Sequence, residues 1–327
     1  MTCKKLIMNR QISLKSKPQF IAALTTVLLL LSVSIVHGRG FFDTVGQSAR
    51  PMGMGEVFIA SSLSTSGYWY SPAGLSSYGK KQVDISYAQI NPNIPSNPMK
   101  YQLSYVNPLS ERSGFGVGIS GLGVDGASEM TLSGAYGISL SENFAVGANV
   151  KIMRWSADLE NDLYETQKKD DDLSKISPSL DLSATYKFGE IFGLTNMITG
   201  IYVKNAILPN IAKEDPKDDP DGGKLSPEIG IGLLGQKEST MMELDCAFVN
   251  GETIFHGGVE TGITGSNLSL RGGFLFGSNF EDETERTDFD FGIGYVFSSL
   301  VFDYAFVFPL QITESGGRHY VSFGVSF

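Results

Sequence analysis

Apolar and polar residues alternate along most of the chain, from about residue 81 to the end. In the stretch 82–87 every second residue is apolar, and the same pattern recurs through 180–188 and 289–297. A period of two places successive side chains on opposite faces of a β-sheet. The pattern therefore predicts amphipathic strands that are separated by turns.

The alternating segments number fourteen, and single-chain bacterial outer-membrane barrels have an even number of strands. Their apolar faces are too numerous and too aromatic to fit inside one soluble sandwich of this length. We therefore expect an all-β fold, an outer-membrane antiparallel β-barrel of about 14 strands. The expected strands are 81–90, 99–107, 114–123, 129–140, 143–155, 177–188, 196–205, 225–235, 239–249, 253–263, 267–277, 288–298, 300–308 and 318–327.

The connections between the expected strands sort by length. Charged insertions at 156–176, 206–224 and 278–287 follow strands five, seven and eleven, whereas the connections after even-numbered strands are brief. In such barrels the outside loops are long and the periplasmic turns are short. We therefore expect the three insertions to face outward and both ends of the barrel chain to lie in the periplasm.

The chain begins with the features of a secretory signal. Five basic residues precede an uncharged and largely apolar stretch at 20–36, and the small residue Gly38 closes it. A retained membrane anchor is the alternative, although the stretch is at the short limit for a spanning helix. We expect residues 1–38 to be a cleaved signal peptide and the mature protein to reach the bacterial outer membrane.

The last expected strand keeps its alternation up to a terminal phenylalanine. This ending resembles the signal by which the barrel-assembly machinery recognises bacterial outer-membrane proteins. Here Tyr320, Phe323 and Phe327 carry the resemblance. The barrel-assembly machinery and outer-membrane lipid are therefore expected partners.

The stretch before the first expected strand, 46–75, reads GQSARPMGMGEVFIASSLSTSGYWYSPAGL. It resembles the N-terminal signature of the PorV/PorQ group, within the FadL-type (long-chain fatty acid transporter) superfamily. That resemblance implies a plug, or hatch, inside the barrel, with residues 39–78 as the hatch segment and 79–327 as the transmembrane barrel. A flexible periplasmic extension is the alternative. The matching residues are Arg50, Gly53, Met54, Gly55, Pro72, Ala73 and Gly74, while Ser71 stands where the group has Asn.

Three further expectations concern the interior of this barrel. We expect Arg50 to anchor the plug by a bidentate pair with an inward carboxylate. Tyr68 and Trp69 either line a ligand path or only hold the plug in place. A fourteen-strand barrel is too wide for its wall side chains to fill, which leaves room for a plug. Candidate partners of Arg50 are Asp181, Asp290 and Asp303, and the small wall residues expected to face inward are Gly116, Gly118, Ser120, Ala135, Gly137, Ala145 and Gly147.

Composition and charge narrow the range of partners. Charged residues make up only 18% of the chain, and the formal net charge is −10. Nucleic-acid phosphates require a basic surface, so nucleic acid is not an expected partner. The 38 glycines and the many phenylalanines and tyrosines agree with a fold of strands.

Motifs for catalysis and metal binding are weak. Gly116, Gly118 and Gly121 form a Gly-x-Gly-x-x-Gly pattern, but within an alternating strand and not before a helix. The three histidines are isolated, and no Ser–His–Asp set can be placed with any specificity. Acidic runs at 170–172 and 215–221 either bind calcium weakly or are only solvated. We expect no enzyme activity, no cofactor and no metal site.

Three functions remain open at this stage. The resemblance implies a PorV/PorQ-type component of protein secretion and surface attachment, of the type IX kind, with secreted protein cargo as its partner. The first alternative is a FadL-like transporter of hydrophobic small molecules across the outer membrane. The second is a structural or adhesive surface barrel without a transport role.

Overall fold

The computed structural model describes residues 47–61, 64–95, 98–157, 173–191, 193–210, 225–249, 251–279 and 284–327. The expected signal peptide and the acidic runs 170–172 and 215–221 lie outside these described residues.

The described strands form one closed antiparallel barrel in which each strand pairs with its neighbours in the chain. Strand β1 closes the barrel against β14, with Gln82 opposite Ser326 and Ile90 opposite Arg318. Each expected strand overlaps an observed one, and the fourteen-strand barrel is confirmed. The strands are β1 Gln82–Ile90, β2 Met99–Ser110, β3 Ser113–Val124, β4 Ala127–Ser139, β5 Phe144–Ala157, β6 Leu173–Ile191, β7 Leu194–Lys204, β8 Glu228–Lys237, β9 Thr240–Val249, β10 Glu252–Gly262, β11 Leu268–Asn279, β12 Thr284–Phe297, β13 Leu300–Pro309 and β14 Arg318–Ser326.

Side chains alternate between the outer and the inner face of the barrel. On β9, Leu244 is 61% exposed, while its neighbours Glu243 and Asp245 are buried. On β12, Phe291 is 59% exposed beside the buried Asp290. An apolar outer face around a polar interior is the arrangement that a barrel needs in lipid, where every backbone group must also be paired.

The connections differ in length between the two ends of the barrel. Those after even-numbered strands contain two to five residues, whereas the β5–β6 connection covers 158–172 and the β7–β8 connection 205–227. The third expected insertion, 278–287, is wrong in extent, because only 280–283 separate β11 from β12. Of its charged residues, Glu285 and Arg286 lie on β12, and Thr284 pairs with Asn279 across the two strands. We call the end with the brief connections the short-turn end.

Residues 47–61 and 64–78, which we call the inner segment, form no strand and lie against inward-facing residues of the barrel. Met54, Phe58, Tyr68 and Ala73 are fully buried there. None of the described helices is long and apolar enough to cross a membrane. The helical pieces of the inner segment are helix α1, Ala49–Met52, and the 3₁₀ turns Gly67–Trp69 and Pro72–Ser76; a further 3₁₀ turn, Thr313–Ser315, precedes β14.

The three residues of the expected assembly signal do not share a face of β14. Phe327 is 71% exposed and stacks on Tyr105, with ring centroids 6.4 Å apart. Tyr320 is fully buried and packs inside the barrel with Met52 of α1. An even residue number and odd ones fall on opposite faces of a strand. Tyr320 therefore lies on the opposite face from Phe323 and Phe327, and the assembly signal itself stays a prediction.

Replacing Phe327 with aspartate should reduce the folded protein in the outer membrane by more than half without changing its synthesis. The reason is that this side chain lies on the outer face, where a charge is unfavourable in lipid. Heat-modifiable migration of membrane fractions on gels measures the folded fraction. Tyr320→Phe is the control, because it removes an inward hydroxyl that has no hydrogen-bond partner among the described residues. Equal folded amounts of both variants and the unaltered protein would contradict the prediction.

Candidate functional site

Glycines bring the inner segment into backbone contact with strands β10 to β12. A Cβ atom added to Gly53 would lie 2.9 Å from the Cα of Gly292. Gly55 has φ of +70°, which favours glycine, and a Cβ there would lie 2.5 Å from the carbonyl oxygen of Phe274. The Gly-Met-Gly motif thus lets the segment turn directly against the wall.

A second set of close contacts joins the inner segment to strands β3 to β5. The ring of Tyr68 lies where a side chain on Gly116 would stand, and its hydroxyl lies where one on Gly118 would stand. The Pro72 backbone occupies the corresponding space beside Gly137 and Gly147. These four glycines face inward, as the alternation predicts.

Two neighbouring carboxylates of β9 accept hydrogen bonds from the inner segment. Asp245 Oδ2 accepts from the backbone N–H groups of Phe58, at 2.9 Å, and Ile59, at 3.2 Å. Glu243 Oε1 accepts from the N–H groups of Ala60, at 2.7 Å, and Ser61, at 3.3 Å. A buried N–H group without a partner is costly, so these two side chains replace the pairing that a sheet would give.

Arg50 lies in a network of charged side chains near the short-turn end. Its Nε and Nη2 atoms donate to Glu260 at 2.9 and 2.7 Å, which is a bidentate pair. Arg271 donates to the same carboxylate at 2.5 Å and to Asp303 at 2.6 Å. Burial acts to lower the pKa of Arg50, but Glu260 raises it, and the net pKa is above its usual range. The guanidinium therefore stays charged.

The partner of Arg50 is thus none of the three carboxylates named from the sequence. Asp181 forms an ion pair with Lys151 at 2.8 Å. Asp290 is buried, and it forms no ion pair among the described residues. Asp303 belongs to the same network through its ion pair with Arg271.

Further polar contacts tie the inner segment to the wall. His256 Nδ1 lies 2.7 Å from the carbonyl oxygen of Gly55, to which its N–H form donates. Ala49 N–H donates to Ser322 Oγ at 2.9 Å, and Ala73 N–H donates to Ser183 Oγ at 2.8 Å. These contacts extend from β6 through β10 to β14, so the segment is attached around much of the circumference.

Tyr68 and Trp69 stack inside the barrel, with ring centroids 5.5 Å apart. Trp69 Nε1 donates to Ser104 Oγ at 3.0 Å, and burial raises the pKa of Tyr68 well above its usual range. Neither residue lines either of the two cavities described below. Their position agrees with the alternative that they hold the segment in place. Ser71 is fully buried, and its Oγ has no hydrogen-bond partner among the described residues.

Two cavities lie toward opposite ends of the barrel. The larger, about 1000 Å³, lies at the short-turn end and is lined by Arg50, Ser322 and Ser326 among others. The smaller, about 310 Å³, lies at the opposite end and includes Arg318. Tyr320 lies between Arg318 and Ser322 on β14 and packs with α1.

The sequence reasoning missed Glu243, Asp245, Glu260 and Arg271, which make the firmest contacts with the inner segment. A signal for them was present, because each is a charged residue at an inward position of an alternating strand. A charged group inside a barrel needs a partner, so charged residues at inward positions predict contacts with a segment that lies in the lumen.

The geometry defines a closed β-barrel with an apolar outer face, and a segment of its own chain lies against its inward-facing residues. The sequence matches the family described as type IX secretion system membrane protein PorP/SprF over residues 57–325. The chain therefore belongs to the PorP/SprF family. A search of curated proteins finds no match.

Solved structures with a similar fold include three outer-membrane proteins. The toluene transporter TbuX of Ralstonia pickettii has 12% identity and a TM-score of 0.61, over 88% of this chain and 100% of that one. The CymD monoaromatic hydrocarbon channel has 13% identity and a TM-score of 0.65, over 87% and 98%. A FadL homologue of Pseudomonas aeruginosa has 13% identity and a TM-score of 0.56, over 86% and 95%. At such identities the likeness concerns the fold alone.

Glu260→Gln should destabilise the folded barrel, because it leaves Arg50 and Arg271 with a neutral amide in place of their shared carboxylate. We expect the free energy of unfolding to fall by about 2 kcal/mol, less than for a fully buried pair. Urea unfolding in lipid vesicles, followed by tryptophan fluorescence, measures this change.

Glu190→Gln is the matched control, because Glu190 is an exposed glutamate on β6. An exposed substitution should change the free energy of unfolding by no more than about 0.5 kcal/mol. If both variants unfold at the same urea concentration as the unaltered protein, the network does not stabilise the barrel.

Proposed function

We propose that the chain serves type IX secretion as a closed outer-membrane barrel, which holds secreted protein cargo at its outer face. The observation that carries this proposal is the inner segment, buried against the wall and bound by Glu243, Asp245 and Glu260. A folded protein does not fit through a lumen that such a segment occupies. The cargo would therefore contact the loops at the end opposite the short turns.

The proposal includes finer assignments from the sequence. Residues 1–38 are a cleaved signal, 39–78 form the hatch, and 79–327 form the barrel. The outward Phe323 and Phe327 serve recognition by the barrel-assembly machinery. The PorV/PorQ resemblance stays a prediction, because the PorP/SprF match begins at residue 57 and takes in only part of that motif stretch.

Deleting residues 46–70, while keeping the signal and the barrel, should give a folded protein with conductance raised several-fold in planar bilayers. The deletion removes α1, Arg50 and the 58–61 backbone that the carboxylates bind, so water and ions gain the vacated space. A deletion of 40–45 is the control, because it shortens the chain without removing those contacts. If the 46–70 deletion conducts no better than the control, the segment does not close the lumen.

Transport of a hydrophobic small molecule is the second candidate. The smaller cavity supports it, because Ile90, Leu122 and Ile312 line the cavity together with Pro98 and Pro309. Sites for small ligands are commonly apolar pockets with a few polar groups. A cavity of about 310 Å³ is at the lower end of the range for such ligands.

Affinity purification of the detergent-extracted protein, with mass spectrometry of proteins and of small molecules, separates the two candidates. We expect secreted proteins to co-purify with the unaltered chain and with Leu122→Lys alike. The transport alternative instead expects a hydrophobic molecule that Leu122→Lys loses. Recovery of that molecule without any secreted protein would overturn the secretion proposal.

A further inference from the structure

The larger cavity at the short-turn end has the properties of a binding site. Its walls are formed by β1, by β10 to β14, and by Ser48, Arg50 and Tyr78 of the inner segment. Lys80 and Lys81 are exposed at its rim. A volume of about 1000 Å³ is far more than a single ion or water needs, since a water molecule takes about 30 Å³.

The charges inside this cavity are unequally paired. Arg50 and Arg271 share Glu260, and Arg271 also binds Asp303. Asp84 on β1 is a third carboxylate in the lining. The lining thus holds two guanidinium groups, the two rim lysines and three carboxylates, and the carboxylate outside the network is Asp84.

Asp84 is placed to receive a donor from a ligand. Its side chain is 7% exposed, and its Oδ1 atom has no hydrogen-bond partner among the described residues. Gly324 lies opposite it on β14, and a Cβ there would lie 2.7 Å from Gln82 Nε2 and 3.2 Å from Asp84 Oδ2. A buried carboxylate oxygen that lacks a donor favours binding of one.

We propose that this cavity binds a primary ammonium group carried on a flexible chain, with Asp84 as its counter-ion. An ammonium has three donors, and the hydroxyls of Ser322 and Ser326 in the same lining can accept the others. A metal ion fits less well, because the described residues contain no group of three His, Cys, Asp or Glu side chains placed to hold one. The inference does not depend on the secretion proposal.

Two sources supply this chemistry, a lysine side chain of a polypeptide and a polyamine. The serine-rich lining of the cavity suits a polar chain more than an apolar one. The experiment below separates the two sources by using one probe of each kind.

Calorimetric titration of the full-length protein in detergent with spermidine, and with a short lysine peptide blocked at both ends, tests the site. We expect at least one probe to bind, Asp84→Asn to weaken it at least tenfold, and the same peptide with acetylated lysine not to bind. Asp290→Asn is the matched control, because Asp290 is a buried carboxylate whose Oδ1 also lacks a partner but which does not line this cavity. Gly324→Ala, which places a methyl group 3.2 Å from Asp84 Oδ2, should weaken binding in the same way if Asp84→Asn fails to fold.

The outcomes distinguish the sources and can overturn the proposal. Binding of the peptide alone assigns a polypeptide lysine, and binding of spermidine alone assigns a polyamine. The proposal is wrong if neither probe binds, if acetylated lysine binds equally, or if Asp290→Asn weakens binding as much as Asp84→Asn. Displacement of the probe by magnesium at equal concentration would also overturn it, since the site would then recognise charge and not an ammonium.

Discussion

The structure depends on one constraint: backbone that lies inside a barrel has no sheet with which to pair. Every strand of the wall already uses its N–H and C=O groups for its neighbours. The N–H and C=O groups of the inner segment must therefore find side chains, and buried groups left without partners would cost free energy. The inward-facing side chains of the strands therefore supply hydrogen-bond partners for that backbone.

The wall meets this constraint in two ways on different strands. On β3 to β5, Gly118 and Gly147 have no side chain, so the aromatic and proline turns of the segment pack directly on the wall. On β9, Glu243 and Asp245 project charged oxygens that accept N–H groups from 58–61. Close packing and hydrogen bonding thus hold different parts of the same segment, and losing one set leaves the other in place.

The sequence predicts the barrel well because alternation is a local property. The fourteen strands, and the inward positions of residues such as Gly116 and Gly137, follow from the two-residue period of the sequence. The partner of Arg50 could not be predicted, because Glu260 is 210 residues away and its proximity depends on how the segment enters the lumen. The inward position of Tyr320 also follows from the alternation along β14, where it stands opposite in phase to Phe327.

The way the segment is held also limits how the lumen could open. Moving 58–61 away from β9 exposes four N–H groups and two carboxylates at once, and moving α1 separates Arg50 from Glu260. Water can satisfy these groups only after it enters, and the glycine contacts on β3 to β5 exclude it from one side. Opening therefore requires either displacement of the whole segment or a partner that supplies equivalent donors to the carboxylates.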